Sequence, residues 1–105
     1  MQFDPSVGIG SYIQFTIPNM PAGTYDLQLF YKKNNPRGQL SVSIDGTTVG
    51  GAIDEYGASA YASTDCGTAT LATSGSHLIR LTVTGKNSSS SGYRLSADKF
   101  IFLQL

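Results

Sequence analysis

Few residues of this chain have catalytic chemistry. Seven acids, one histidine and one cysteine are present among its 105 residues. Two carboxylates facing each other could hydrolyse a glycoside, but the neighbours Asp54 and Glu55 would point to opposite faces of a strand. His77 and Cys66 are too few for a zinc site, and no local motif pairs them as base and nucleophile. We therefore expect no catalytic residue, and no motif has the ligand spacing of a metal site.

Two polar segments offer binding chemistry instead. Residues 32–38 (KKNNPRG) and 85–92 (GKNSSSSG) are rich in hydrogen-bond donors and turn-forming residues. Sugars present many hydroxyl groups and weakly apolar ring faces, so a sugar site combines amides or arginine with an aromatic ring. The candidate carbohydrate-binding residues are Tyr31, Lys32, Asn34, Asn35, Arg37, Tyr56, Lys86, Asn87 and Tyr93.

Each candidate also has a purely structural interpretation. Any one of these tyrosines, or of Tyr61 beside them, is more often a packing residue than a platform under a sugar ring. Arg37 could instead anchor its loop through a hydrogen bond, and the stretch from Lys86 to Ser88 could be a solvated loop. Both interpretations stay open at the level of the sequence.

A central pair of strands must position these segments. In residues 23–44 (GTYDLQLFYKKNNPRGQLSVSI), apolar and polar residues alternate on both sides of the polar loop, which is typical of half-buried strands. Residues 12–17 and 77–84 alternate in the same way. Asp45-Gly46 predicts a tight hairpin, because such a turn needs positive φ. No window has helical spacing, so the short strands predict an all-β sandwich or barrel.

Other segments are less regular. Residues 18–23 predict a turn, and Gly50-Gly51 should break the strand that returns from the hairpin. Residues 56–64 (YGASAYAST) favour a loop, which would place Cys66 at the start of a short strand as a small, semi-buried side chain. The run 99–105 (KFIFLQL) is apolar at most positions and predicts a strand covered on both faces.

Composition bounds the class of partner. Charged residues make up 13% of the chain and the formal net charge is zero, so no charge pattern marks it for nucleic acid or an anionic membrane. No apolar run approaches the roughly 18–20 residues that span a bilayer. The first five residues lack the features of a signal peptide. The length fits one domain, residues 1–105, which we expect to be excised from a larger protein.

Longer segments resemble a known family. GSYIQFTIPNMPAGTYDLQLFYKKN resembles the part of carbohydrate-binding modules of the galactose-binding-like superfamily (family 6/35-like) where "aGtY.l.vrY" marks the central strand. The resemblance covers the chain from Gly10 to Leu103. The closing pattern of such modules, "G.h.i.l...g......D.i.l", is matched here by Gly75, His77, Ile79, Leu81, Gly92, Asp98 and Ile101.

The resemblance implies a jelly-roll β-sandwich that is not an enzyme. Similar modules target secreted bacterial polysaccharide lyases and glycoside hydrolases to their substrates. The implied partners are a polysaccharide or oligosaccharide and the catalytic domain of the parent enzyme, outside the cell. No cofactor is implied; structural calcium is possible, although the acidic amino-terminal motif associated with it in the family is absent. Lys32, Arg37 and Lys86 could also pair with uronic acids.

Two alternatives remain. A structural or interdomain module with no glycan ligand would expose an apolar patch, for which residues 100–105 are the candidate. A small hydrolytic domain would need two acids about 5–9.5 Å apart across a cleft, and the sequence gives no reason to expect them.

Overall fold

The structure, a computed structural model, describes residues 2–3 and 8–105. All regular elements in this part of the chain are strands. They are β1 (Gln2–Phe3), β2 (Tyr12–Met20), β3 (Gly23–Lys33), β4 (Gln39–Ile44), β5 (Thr47–Asp54), β6 (Ala60–Leu71), β7 (Gly75–Gly85), β8 (Leu95–Ser96) and β9 (Lys99–Gln104). The described residues contain no helix long and apolar enough to cross a membrane.

The strands form two antiparallel sheets that enclose one core. One sheet has the order β2-β7-β4-β5 and the other β6-β3-β9, while β1 and β8 make a short separate pair. The core contains apolar side chains from both sheets. The all-β sandwich predicted from the alternating sequence is therefore confirmed.

The alternating strands supply the core as expected. On β3, Leu27 and Leu29 are fully buried, and Leu40 and Leu81 face them from the other sheet without exposure. Burying each such side chain contributes about 1.5–3 kcal/mol. Because side chains from both sheets pack in one core, the sandwich is a rigid scaffold for the loops that connect its strands.

The hairpin at Asp45-Gly46 is confirmed, but the strand after it is longer than predicted. Asp45 and Gly46 have φ values of 50° and 85°, which is the mirror-image turn that a two-residue hairpin prefers. Strand β5 continues through Gly50 and Gly51 instead of breaking, with a register shift opposite β4. A Cβ on Gly50 would lie 1.6 Å from the carbonyl oxygen of Cys66, so only glycine lets β5 and β6 approach here.

The prediction of a loop over residues 56–64 is wrong from Ala60 onwards. Strand β6 begins at Ala60, which pairs with Lys33, and runs for 12 residues. Small residues hide its alternation, and pairing with β3 outweighs their weak strand preference. Cys66 lies inside this strand and is buried, and burial raises its thiol pKa to about 11. It packs as a small apolar side chain and is a poor nucleophile at neutral pH.

Three further boundaries differ from the sequence prediction. Strand β3 includes Lys32 and Lys33, so the polar loop begins at Asn34. Strand β2 runs on through Met20 with an irregular register instead of ending at the prolines. Strand β9 is covered on one face only: Phe100 and Phe102 pack against the core, whereas Ile101 and Leu103 on the other face are 38% and 54% exposed.

Candidate functional site

Three loops that are distant in sequence meet at one end of the sandwich. We call this the loop end: residues 34–38, 55–59 and 86–94. The N–H of Asn34 donates to the carbonyl of Glu55 at 3.3 Å, and the N–H of Gly57 donates back to the carbonyl of Asn34 at 3.4 Å. The N–H of Gly38 donates to the carbonyl of Arg94 at 2.7 Å. These bonds bring most of the candidate residues into one region.

Ser90 holds two of these loops together. Its buried hydroxyl oxygen lies 2.8 Å from the carbonyl oxygen of Asn35, 2.6 Å from that of Arg37 and 2.9 Å from that of Gly92. The ammonium of Lys86 donates to the Ser90 carbonyl at 3.0 Å. The serine run 88–91 therefore contains a structural anchor, which a sequence of four identical polar residues could not indicate.

Arg37 belongs to the foundation of the loop end. It is only 4% exposed, and its Nε donates to the carbonyl of Lys32 at 3.0 Å. Beneath it, Glu55 is fully buried and one carboxylate oxygen accepts the N–H of Ser96 at 2.7 Å. Burial raises the Glu55 pKa to about 8, while the Ser96 bond and the Arg37 charge oppose that rise. The loop-anchoring interpretation of Arg37 is thus favoured, because a buried guanidinium cannot reach surface hydroxyls.

The three candidate tyrosines differ in accessibility. Tyr31 lies in the core and is only 5% exposed, so its ring offers no face to a sugar. The prediction that it binds carbohydrate is therefore wrong. Tyr93 is partly buried and packs against Gly8, where an added Cβ would lie 3.2 Å from the ring. Its centroid lies 6.0 Å from the Lys86 ammonium. Tyr56 is also partly buried, and its N–H donates to a carboxylate oxygen of Asp54 at 3.0 Å.

The asparagines keep their donors available. The side-chain oxygen of Asn34 accepts the N–H of Asn35 at 2.9 Å, and that of Asn87 accepts the N–H of Ser89 at 3.0 Å. These local turns fix the side chains through their oxygens. Among the described residues, no hydrogen bond occupies the two amide nitrogens, and Asn35 is exposed. The loop end therefore presents oriented amide N–H groups at its surface.

The exposed Tyr61 lies outside the set of residues that were predicted to bind carbohydrate. Tyr61, on β6, is 75% exposed, and it pairs in register with Lys32, whose ammonium lies 5.5 Å from its ring centroid. The sequence does not distinguish Tyr61 from the other tyrosines, because its segment predicts a loop. An outward position becomes visible only once the strand register is known.

The opposite end of the sandwich contains a groove of about 450 Å³ beside Asp45 and His77. We call this the hairpin end. One ring nitrogen of His77 contacts a carboxylate oxygen of Asp45, and the other lies 2.9 Å from the carbonyl oxygen of Thr73. Both nitrogens are thus engaged, so this acid–histidine pair has no free nitrogen to act as a base.

Fold and site together define a class of protein: an all-β sandwich with donor-rich loops at one end and, in its described part, no assembled catalytic group. No protein-family model and no curated protein matches the chain. Among solved structures, a Paenibacillus xanthan lyase aligns with 100% of this chain at a TM-score of 0.86 and 28% identity. The chain spans 11% of the length of that lyase.

Two further similar structures are carbohydrate-binding modules. One is the CBM36-1 domain of a multidomain xylanase from the hindgut metagenome of Trinervitermes trinervoides, with a TM-score of 0.64 and 21% identity over 95% of this chain and 82% of that one. The other is CBM36 in complex with calcium and xylotriose, with a TM-score of 0.63 and 16% identity over 97% of this chain and 87% of that one. These neighbours confirm the sandwich fold that the resemblance to carbohydrate-binding modules implied.

Calcium in the second CBM36 structure raises the question of a metal site here. In the described part of this chain, no group of three or more His, Cys, Asp or Glu side chains could hold a metal ion. Asp26 and Asp65 lie together on neighbouring strands, and their mutual hydrogen bond raises the pKa of Asp26. Calcium takes six to eight oxygen ligands, so this pair does not fit it, and we assign no calcium ligands.

Proposed function

We propose that this chain is a non-catalytic carbohydrate-binding module of a larger secreted enzyme that degrades a polysaccharide. The observation that carries the proposal is the convergence of two donor-rich loops and the loop of Tyr56 at one end of a rigid sandwich. Binding residues are commonly borne by loops on such a scaffold. The similarity to part of a xanthan lyase and to two CBM36 modules supports the same conclusion.

Recognition would use the groups that the loop end leaves available. The amide nitrogens of Asn34, Asn35 and Asn87 would donate to sugar hydroxyls, and Tyr56 or Tyr93 would contact a ring face. Arg37 and Tyr31 would support the loops from below. The expected affinity is millimolar to micromolar, about −4 to −8 kcal/mol. Attachment to the parent enzyme would add avidity without any new contact.

The test is retardation of the purified domain in native gels containing soluble polysaccharides. The panel includes xanthan and xylan, because one similar structure is a xanthan lyase and another is a module in complex with xylotriose. Selective retardation would support the proposal, and loss of retardation with a chelator would show that binding needs a metal. A folded domain that no polysaccharide retards would contradict the proposal.

A double variant, Asn34→Asp with Asn87→Asp, tests the loop end directly. Aspartate keeps the oxygens that close both turns but removes the two amide donors. Each lost hydrogen bond is worth about 0.5–1.5 kcal/mol, so the loss of two should weaken binding about fivefold to a hundredfold. The matched control is Asn19→Asp, the same change beside the β6–β7 turn at the hairpin end. Equal binding by both variants would contradict the proposed site.

An interdomain module without a glycan ligand is the second candidate function. Strand β9 favours it, because Ile101 and Leu103 in this edge strand and Leu105 just after it are exposed. A triple change of these residues to Ser would then weaken contact with the parent enzyme's neighbouring domain. Under the main proposal, the same variant would keep its retardation by polysaccharide.

A further inference from the structure

The outer face of the three-stranded sheet bears two lysine–aromatic pairs next to the loop end. Lys32 pairs in register with Tyr61, and Phe30 pairs with Lys99 on the other side of β3. The Lys32 ammonium is 5.5 Å from the Tyr61 centroid, and the Lys99 ammonium is 4.7 Å from the Phe30 centroid. We call these four residues the lysine–aromatic face.

The two pairs form one continuous surface. Lys32 and Phe30 are two residues apart on β3, so they project to the same side about 7 Å apart. Asn34 follows Lys32 by two residues, and its backbone pairs with Tyr56 in the loop end. A chain molecule bound at the loop end could therefore continue onto this face without a break.

Charge is divided along the outer face of this sheet. The half next to the loop end carries Lys32 and Lys99, with the exposed Asp98 beside Lys99, whereas Asp26 and Asp65 lie further along β3 and β6. The chain as a whole has no net charge, so the two ammonium groups are a local feature. An anionic ligand would therefore bind beside the lysines and away from Asp26 and Asp65.

The other sheet provides a contrasting pair. Arg80 lies 3.9 Å from the Tyr12 centroid, and its Nε and Nη2 both donate to the side-chain oxygen of Gln14, at 3.2 and 3.0 Å. That cation is thus already engaged. With the residues that the structure describes, the ammonium groups of Lys32 and Lys99 form neither a hydrogen bond nor an ion pair. They are free to meet a carboxylate.

We propose that the lysine–aromatic face binds an acidic polysaccharide. The ring of Tyr61 lies under a sugar, and the ammonium groups of Lys32 and Lys99 pair with uronate carboxylates. Tyr61 suits this role because three quarters of its surface is exposed, and a tyrosine ring has few rotamers to lose on binding. This inference rests on the proposed function, to which it adds a second contact surface and a ligand charge.

The experiment compares retardation by polygalacturonate and by neutral xylan. Tyr61→Ala should weaken binding to polygalacturonate about fivefold to tenfold, because it removes the platform. Lys32→Gln with Lys99→Gln should weaken binding to polygalacturonate more than binding to xylan, and it should reduce the salt dependence of binding to polygalacturonate. Tyr12→Ala is the matched control, since it removes an exposed tyrosine from the other sheet and should bind as the unmodified domain does.

The outcomes separate this inference from the proposed function. Normal binding by the Tyr61 and lysine variants, together with loss of binding in the Asn34→Asp, Asn87→Asp variant, would overturn the inference about the lysine–aromatic face. The proposed site at the loop end would then still stand. Normal polysaccharide binding together with altered self-association of Tyr61→Ala would make the face a protein contact and overturn the inference. Failure of the unmodified domain to bind any polysaccharide would overturn both.

Discussion

The loop end and the hairpin end of the sandwich contain similar polar residues but use them differently. At the hairpin end, Asp45 uses one oxygen for His77 and the other for the N–H of Leu78 at 2.9 Å, and both nitrogens of His77 are engaged. At the loop end, Asn34 and Asn87 use only their oxygens for local turns. At the hairpin end these polar groups bond to one another, whereas at the loop end the amide nitrogens of Asn34 and Asn87 stay available.

The difference shows that polarity alone does not mark a binding site. A groove of about 450 Å³ lies at the hairpin end, yet its histidine and carboxylate already bind each other. The loop end keeps its amide donors at the surface because buried residues below them hold the loops in place. Arg37, Glu55 and Ser90 are buried there and hold the loops. Changes to these buried residues and to the His77 pair can test whether the two ends divide their roles in this way.

The largest expected effect is that of Arg37→Ala. Removing this buried guanidinium leaves Glu55 without its neighbouring positive charge and the Lys32 carbonyl without its donor. Leaving a buried hydrogen-bonding group without its partner typically costs about 1–3 kcal/mol in the free energy of unfolding, and the lost packing of the buried side chain adds to that. Chemical denaturation with urea measures it. Glycan binding should be lost together with the fold, in contrast to a surface contact.

Arg80→Ala is the control for Arg37→Ala. Arg80 is a surface arginine bonded to Gln14, so its loss should change the free energy of unfolding by about 1 kcal/mol or less. Similar destabilisation by both variants would mean that Arg37 is not a special anchor. Loss of binding by a fully stable Arg37→Ala domain would return Arg37 to the role of a ligand-binding residue.

The sequence predicted the sandwich because its central strands alternate without interruption. Tyr25 to Tyr31 and residues 77–84 place apolar residues on one face whatever their partners are. The first half of strand β6 was missed because Ala, Ser and Thr give almost no contrast between its two faces. Its identity depends on pairing with β3, which is a tertiary interaction and is invisible to a local pattern.

The candidate site was predicted by residue type but not by accessibility. Most of the polar candidates lie in loops that meet at one end of the sandwich, yet Arg37 and Tyr31 are buried. A loop residue next to a strand end can point inwards or outwards, and composition does not distinguish the two. Tyr61 was left out for the converse reason, since its outward direction follows from strand register.

A smaller effect is expected from Glu55→Gln, seen in the pH dependence of stability. Burial raises the Glu55 pKa from 4.5 to about 8, so the folded state holds a proton that the unfolded state releases. Stability from this group is complete below about pH 4.5 and is lost as the pH rises towards 8. Glutamine cannot ionise, so thermal unfolding between pH 5 and 9 should depend less on pH in this variant. An unchanged pH dependence would show that Glu55 is ionised throughout.

The smallest effect should come from His77→Gln at the hairpin end. Hydrogen bonding to Asp45 and Thr73 raises the His77 pKa, so its stabilising contribution is complete below the usual histidine pKa and is lost as the pH rises through the folded value. The Asp45 pKa is lowered by the same pair, so that contribution is lost as the pH falls through the folded value. Thermal unfolding should show both slopes reduced in the variant. Glycan binding at pH 6 should be unchanged, because His77 lies at the hairpin end and the proposed site is at the loop end. A loss of binding in a stable variant would contradict that division.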